Sequence, residues 1–176
     1  GIYDVVSTTN CSGIGPDGLA AAAYMFKKYK CPEADEAEQL AVNAMRAFIA
    51  LDKSGTQTNE LYYLISGCMY LHLLGYTEFD EWARIWADRM VSMQKPDGSW
   101  TWLNFQMRCM EGLLRAYELL GVRKYLDSVN LGLKTLSYKD NNLYWKGEVD
   151  YYDDFGGATT YAVFANLGMK DMAQKA

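Results

Sequence analysis

The sequence predicts an all-α fold built from about four helical hairpins, and three observations carry that expectation. Half of the 176 residues are apolar, and they recur at helical spacing. Helix-closing tripeptides, Leu73-Leu74-Gly75, Leu119-Leu120-Gly121 and Asn166-Leu167-Gly168, recur at intervals of 46 and 47 residues. Longer turns alternate with them at a similar period, at Asp52-Lys53-Ser54-Gly55, Asp97-Gly98-Ser99-Trp100 and Asn141-Asn142-Leu143-Tyr144-Trp145. The repeating unit is therefore a pair of helices.

In chain order, helices are expected at about 17–29, 35–52, 58–74, 78–94, 104–120, 123–136 and 157–167. Gly13-Ile14-Gly15-Pro16-Asp17-Gly18 follows no convincing strand unit and reads as a turn into the first of them. Helices 17–29, 58–74, 104–120 and 157–167 are apolar nearly all round and rich in small residues, as in Gly18-Leu19-Ala20-Ala21-Ala22-Ala23, which suits burial on most sides. The helices between them are amphipathic. In 78–94, Trp82, Ile85, Trp86, Arg89 and Met90 form one stripe against Asp80, Glu81, Arg84 and Asp88. That helix must stop at Pro96-Asp97-Gly98, which removes a backbone donor and supplies turn geometry.

Buried helices alternating with amphipathic ones describe an inner and an outer ring, the arrangement of an α/α toroid. The short Gly-ended links lie at one end, and the longer segments 1–16, 53–57, 95–103 and 137–156 at the other. Four hairpins are too few to close a ring. The chain thus reads as one repeat domain over 1–176, a partial or open arc or a fragment of a larger toroid. Its apolar end face predicts a dimer, a companion domain or missing hairpins.

Composition narrows the partners. A net charge of -5 and a pI near 4.9 argue against nucleic acid or an anionic membrane, both of which need clustered Lys and Arg. No apolar run reaches the roughly 18–20 residues that span a bilayer. The first ten residues lack the charged and apolar regions of a signal peptide, and secreted and cytoplasmic settings both stay open. Asn10-Cys11-Ser12 fits a glycosylation sequon. Cys68 and Cys109 sit in apolar helical patterns and are expected as buried thiols. Cys11 and Cys31 fall in segments read as loops, which leaves a disulfide between them open in an oxidising compartment. His72, the one histidine, is expected in the core. With no metal-ligand spacing and no phosphate or dinucleotide fingerprint, neither a metal nor a cofactor is expected.

Gln94-Lys95-Pro96-Asp97-Gly98-Ser99-Trp100 is similar to the Gln-Trp repeat of squalene and oxidosqualene cyclases and prenyltransferase-like repeat proteins, which implies that Gln94 and Trp100 join successive helices. Over about 64–136 the chain resembles α/α-toroid glycoside hydrolases and polysaccharide lyases, through Glu111-Gly112-Leu113-Leu114-Arg115-Ala116-Tyr117-Glu118-Leu119-Leu120-Gly121 and Lys124-Tyr125-Leu126. Both resemblances concern the fold.

The long segments hold an unusual mixture of aromatic and acidic residues. Trp102, Trp145, Tyr151 and Tyr152 offer ring faces on which sugars stack, and Asp150 a carboxylate that binds hydroxyls. Asp153-Asp154, before a helix, are candidates for acid/base work, since adjacent carboxylates raise one another's pKa. Their place resembles the Asp pair at a helix start in several toroid glycosidases. Capping of the following helix would by itself account for one of these carboxylates. Aligning the inner helices on their closing tripeptides sets Glu60 and Gln106 level with Asp153, with Asn59 beside them, as a polar rim. Glu111, deeper in an apolar helix, must pair or face a cavity, and Arg108 and Arg115 are within helical reach.

The leading expectation is a carbohydrate-active toroid segment, a glycoside hydrolase or polysaccharide lyase if catalytic, with Asp153, Asp154 and Glu60 as its carboxylates. A non-catalytic repeat module binding a small hydrophobic ligand or a protein is the alternative. A terpenoid cyclase fragment ranks third, because Asp150, Asp153 and Asp154 depart by one residue from the Asp-x-Asp-Asp run of squalene cyclases.

Overall fold

The computed structural model describes residues 9–50, 58–100, 103–139, 142–145, 148–149 and 165, with side chains described over 15–50, 60–100 and 105–137 and at 165. The described chain is mostly helical: α1 (Thr9–Lys28), α2 (Ala34–Ala50), α3 (Thr58–Leu73), α4 (Asp80–Ser92), α5 (Leu103–Leu120) and α6 (Arg123–Leu133). A 3-10 turn, Thr77–Phe79, leads into α4. Of the expected helix 157–167, only Ala165, helical and exposed, lies inside the described residues. The chain divides into two compact units, Gly1–Asp88 and Arg89–Ala176, with the boundary inside α4.

Two departures from the expected element list have local causes. The first helix starts at Thr9, with Pro16 inside it. Proline removes one hydrogen bond and crowds the preceding turn, but its fixed φ is helical and its ring is buried here. The second departure is β1 (Leu136–Lys139), β2 (Asn142–Trp145) and β3 (Glu148–Val149), an antiparallel meander within the segment expected as a loop. Leu136 pairs with Trp145, Lys139 with Asn142 and Tyr144 with Val149. Runs of two to four residues are too short to show a two-residue period, so pairing and not pattern makes them strands.

In the first unit α1 packs against both α2 and α3. Ala41, Val42, Met45 and Phe48 form the buried stripe of α2, and Leu61, Leu64, Ile65, Cys68 and Leu71 that of α3. In its first-unit part α4 buries Ala83, Trp86 and Ala87, whereas Ile85 of the expected stripe is exposed. Two alanines a turn apart allow close approach, and this sets the buried meridian one step away from Ile85. Phe48 meets the Trp86 ring edge-on at 6.4 Å. Lys27 and the Tyr76 hydroxyl both donate to Glu38, tying α1 and the α3–α4 link to α2. Burial alone would push the Glu38 carboxyl up, but those two hydrogen bonds outweigh it and hold it below its ordinary range.

Cys11 lies near the start of α1 and Cys31 beyond its end. The helix from Cys11 to Lys28 spans about 26 Å at a rise of about 1.5 Å per residue, and a disulfide tolerates a Cα separation of no more than about 7 Å. Cys31 is accordingly a free thiol, and the disulfide considered from sequence does not form. Cys68 and Cys109 are buried thiols, and burial pushes Cys68 far above its ordinary pKa.

In the second unit α5 packs against α6. Met107, Cys109, Met110, Leu113, Leu114 and Ala116 of α5 are buried, as are Tyr125 and Val129 of α6. Glu111 and Arg115 form a largely buried ion pair one turn apart on α5, which answers the question its sequence position raised.

Helices α1 and α3 end in the same motif. The N–H of Cys31 donates to Phe26 O and that of Tyr76 to Leu71 O, and each closure needs the residue before it at positive φ. That residue is Gly75 (φ 101) on α3 but Lys30 (φ 56) on α1. Replacing Lys30→Gly should therefore raise stability by about 0.5–1 kcal/mol in urea melts, because a side chain is strained in this region. Gly98 is the opposite case: its φ is 89, and a Cβ would stand 2.4 Å from Leu131 O. Gly98→Ala should cost at least about 2 kcal/mol in the same melts.

Candidate functional site

The turn between α4 and α5 follows directly from its residues. Pro96 presets the first corner, the Gly98 N–H donates to Lys95 O, and the Lys95 N–H returns to Ser99 O. Asp97 Oδ1 accepts from the Ser99 N–H at 2.9 Å and from its hydroxyl at 2.6 Å. The chain then turns inward at Trp100, which is buried and whose indole N–H donates to Met90 O at 2.9 Å.

Two glutamine amides hold this turn against α6. Gln94 Nε2 donates to Gly98 O and to Ser128 O, both at 2.9 Å, while the Ser128 hydroxyl donates to Gln94 Oε1. Gln106 Nε2 shares its protons among Gly98 O, Gly132 O and Thr135 Oγ1, at 3.1–3.2 Å. Its Oε1 accepts from the Trp100 N–H at 2.8 Å. Gly132 lets this happen: a Cβ there would lie about 3.1 Å from both Gln106 Nε2 and the Trp100 ring. Gln106, expected on a polar rim for substrate, is fully buried and its amide is engaged on both atoms. It ties backbone together.

Glu60, the other residue placed on that rim, is buried too, but in a different state. It lies on the first turn of α3 and is 1% exposed, and among the described residues neither carboxylate oxygen has a hydrogen-bond partner. A carboxylate at a helix N-terminus gains from the helix dipole, which falls short of the desolvation of a charge. Ser66 Oγ and Trp86 Nε1, in the same unit, are also buried without a hydrogen bond among the described residues. Such groups call for a water or a ligand. Sequence reasoning missed Ser66 and Trp86, since their pattern is that of ordinary helix-core residues.

Of the other candidates, Asn59 belongs to α3 and Trp145 to β2 by backbone, with side chains outside the described residues. Trp102, Asp150, Tyr151, Tyr152, Asp153 and Asp154 lie outside them altogether. Glu60 belongs to the first unit and Gln106 to the second.

His72 departs from its expected core position. Its side chain is part-exposed, and Nδ1 lies 3.0 Å from both oxygens of Asp80, at the end of α3 and the start of α4 respectively. This contact fastens the α3–α4 link, with the Asp80 carboxylate placed at a helix N-terminus, where the dipole favours it. Among the described residues no three His, Cys, Asp or Glu side chains gather as a metal site would require, and no helix is long and apolar enough to cross a membrane.

The saturation of Gln106 has a measurable consequence. Gln106→Leu leaves the Trp100 N–H without its acceptor and two backbone carbonyls short of a donor. It should destabilise the protein by about 3 kcal/mol in denaturant melts, and a loss below about 1 kcal/mol would show the amide to be dispensable.

No known protein family, curated protein or solved structure matches the chain, so its functional reading rests on its own residues.

Proposed function

We propose that the chain is a segment of an α/α toroid that binds and cleaves a glycan, as a glycoside hydrolase or polysaccharide lyase. The observation that supports this reading is Glu60: a buried carboxylate on the first turn of a buried helix, without a hydrogen-bond partner among the described residues. A buried carboxylate with both oxygens unfilled among the described residues is suited to accept from a substrate hydroxyl. Asp153 and Asp154 are the candidate acid/base carboxylates of this reading, from their place in the sequence. Trp102, Trp145, Tyr151 and Tyr152 supply stacking surfaces, and Asn59 and Asp150 bind hydroxyls.

A second reading, a non-catalytic repeat module, is supported by the use of Gln94, Trp100 and Gln106 in holding helices together and by the apolar residues left exposed on α1.

The two readings separate in a glycan-array screen followed by calorimetry and turnover on the best binder. The enzymatic reading expects Glu60→Gln, Asp153→Asn and Asp154→Asn each to lower turnover by about a hundredfold or more while the melting temperature is kept. Unchanged binding and turnover in all three variants would remove these carboxylates from the site and leave the repeat module standing.

A further inference from the structure

The corner where α1 passes into α2 holds no buried side chain. From Tyr24 to Leu40 every residue is half-buried or exposed, whereas Ala20 and Ala23 before it and Ala41, Val42 and Met45 after it are buried. Apolar packing therefore anchors the two helices only up to the edges of the corner. Buried apolar surface is the main term that resists local opening, so a segment without it opens ahead of the packed core. The backbone works in the same direction: Lys30 holds φ 56, which strains a residue with a side chain, and Pro32 has no N–H to donate.

One carboxylate holds this corner closed. Glu38 on α2 accepts from the Lys27 ammonium of α1 through Oε2 and from the Tyr76 hydroxyl of the α3–α4 link through Oε1, the latter at 2.8 Å. Among the described residues that tyrosine bond is the one side-chain hydrogen bond from the corner to any part of the unit beyond α1 and α2. The Glu38 side chain is 13% exposed, so its charge-assisted bonds are stronger than those of a solvated pair. The neighbouring Arg46–Glu78 pair is about half exposed on both sides and contributes little. The hydrogen bond to Glu38 raises the pKa of Lys27 and of Tyr76, so each keeps the proton that it donates.

We propose that the α1–α2 corner, residues 24–40, is an acid-released flap latched by Glu38: protonation of that carboxylate frees the end of α1 and the start of α2 while the packed remainder of the unit stays folded. Burial pushes the Glu38 carboxyl up, the two hydrogen bonds push it down, and it ends below its ordinary range. The latch is thus fully present above that range and is lost as pH falls through the lowered value of the closed state. Besides Lys27 and Tyr76, the charges that act on the cluster are Asp35, on Lys27, and Arg46, on Tyr76. Once Glu38 is neutral, Lys27, Lys28 and Lys30 repel one another with less negative charge to offset them, which favours the open form. The flap is independent of the glycan reading and of Glu60.

Hydrogen–deuterium exchange read by mass spectrometry on the full chain tests the latch, with protection corrected for the intrinsic exchange rate at each pH. At about pH 7, Glu38→Gln keeps the shape and removes the charge, and it should lower protection over 24–40 by about tenfold or more while peptides over 60–73 stay within about twofold of the parent. Tyr76→Phe keeps the Lys27–Glu38 pair but cuts the tie to the link, and it should lower protection of the same corner by about threefold or more. Between about pH 7 and about pH 4 the parent should lose protection over 24–40 before it does over 60–73, and Glu38→Gln, already released, should show no such step. Protection unchanged in both variants, a loss spread equally over 60–73, or an acid step that persists in Glu38→Gln would each overturn the proposal.

Discussion

The carbonyl of Gly98 accepts from the side-chain amides of Gln94 and Gln106 at once, and the second unit is organised around that group. Each amide reaches onward to α6, through Ser128 O and Gly132 O. The tight turn, the buried Trp100 and the packing of α6 are thereby one structure. Glycine at 98 supplies both the positive φ and the clearance beneath Leu131 O, and glycine at 132 supplies the room for Gln106 and Trp100. The polar groups are paired inside a dry environment, where an amide contributes more order than the same bond at the surface.

The two units treat buried charge in opposite ways. Glu111 on α5 is nearly inaccessible but has the guanidinium of Arg115 one turn away, so its charge is compensated within its own helix. Glu60 on α3 is equally inaccessible and has no such partner among the described residues. A buried carboxylate costs free energy until a partner is found for it, whether inside the protein or on a ligand. That contrast is why Glu60 carries the functional reading and Glu111 does not.

Much of the helical framework was legible. Apolar spacing and the Leu-Leu-Gly closures located α2 to α6 to within a few residues, because each helix has a long periodic pattern and a terminator of definite chemistry. The start of α1 was misplaced because Gly13-Ile14-Gly15-Pro16-Asp17-Gly18 reads as a turn and here lies within a helix. The meander at 136–149 was missed because strands of two to four residues carry no period of their own. Of the candidate site, the sequence could rank Glu60 and Gln106 together by position alone. Their difference lies in what surrounds them, which a linear pattern does not contain.

By itself the sequence determined the helical class, the paired-helix period, the place of the Pro96-Asp97-Gly98 turn and the burial of Cys68 and Cys109. These are consequences of local chemistry: periodicity, missing donors and glycine's freedom at positive φ. Only the tertiary structure decided that Gln106 is a clamp, that Glu60 is a buried carboxylate unpaired among the described residues, that His72 sits beside Asp80 at a helix joint, and that Leu19, Met25 and Phe26 of α1 are exposed. Each of those depends on which residue from a distant part of the chain arrives within a few ångströms, and that is settled by packing.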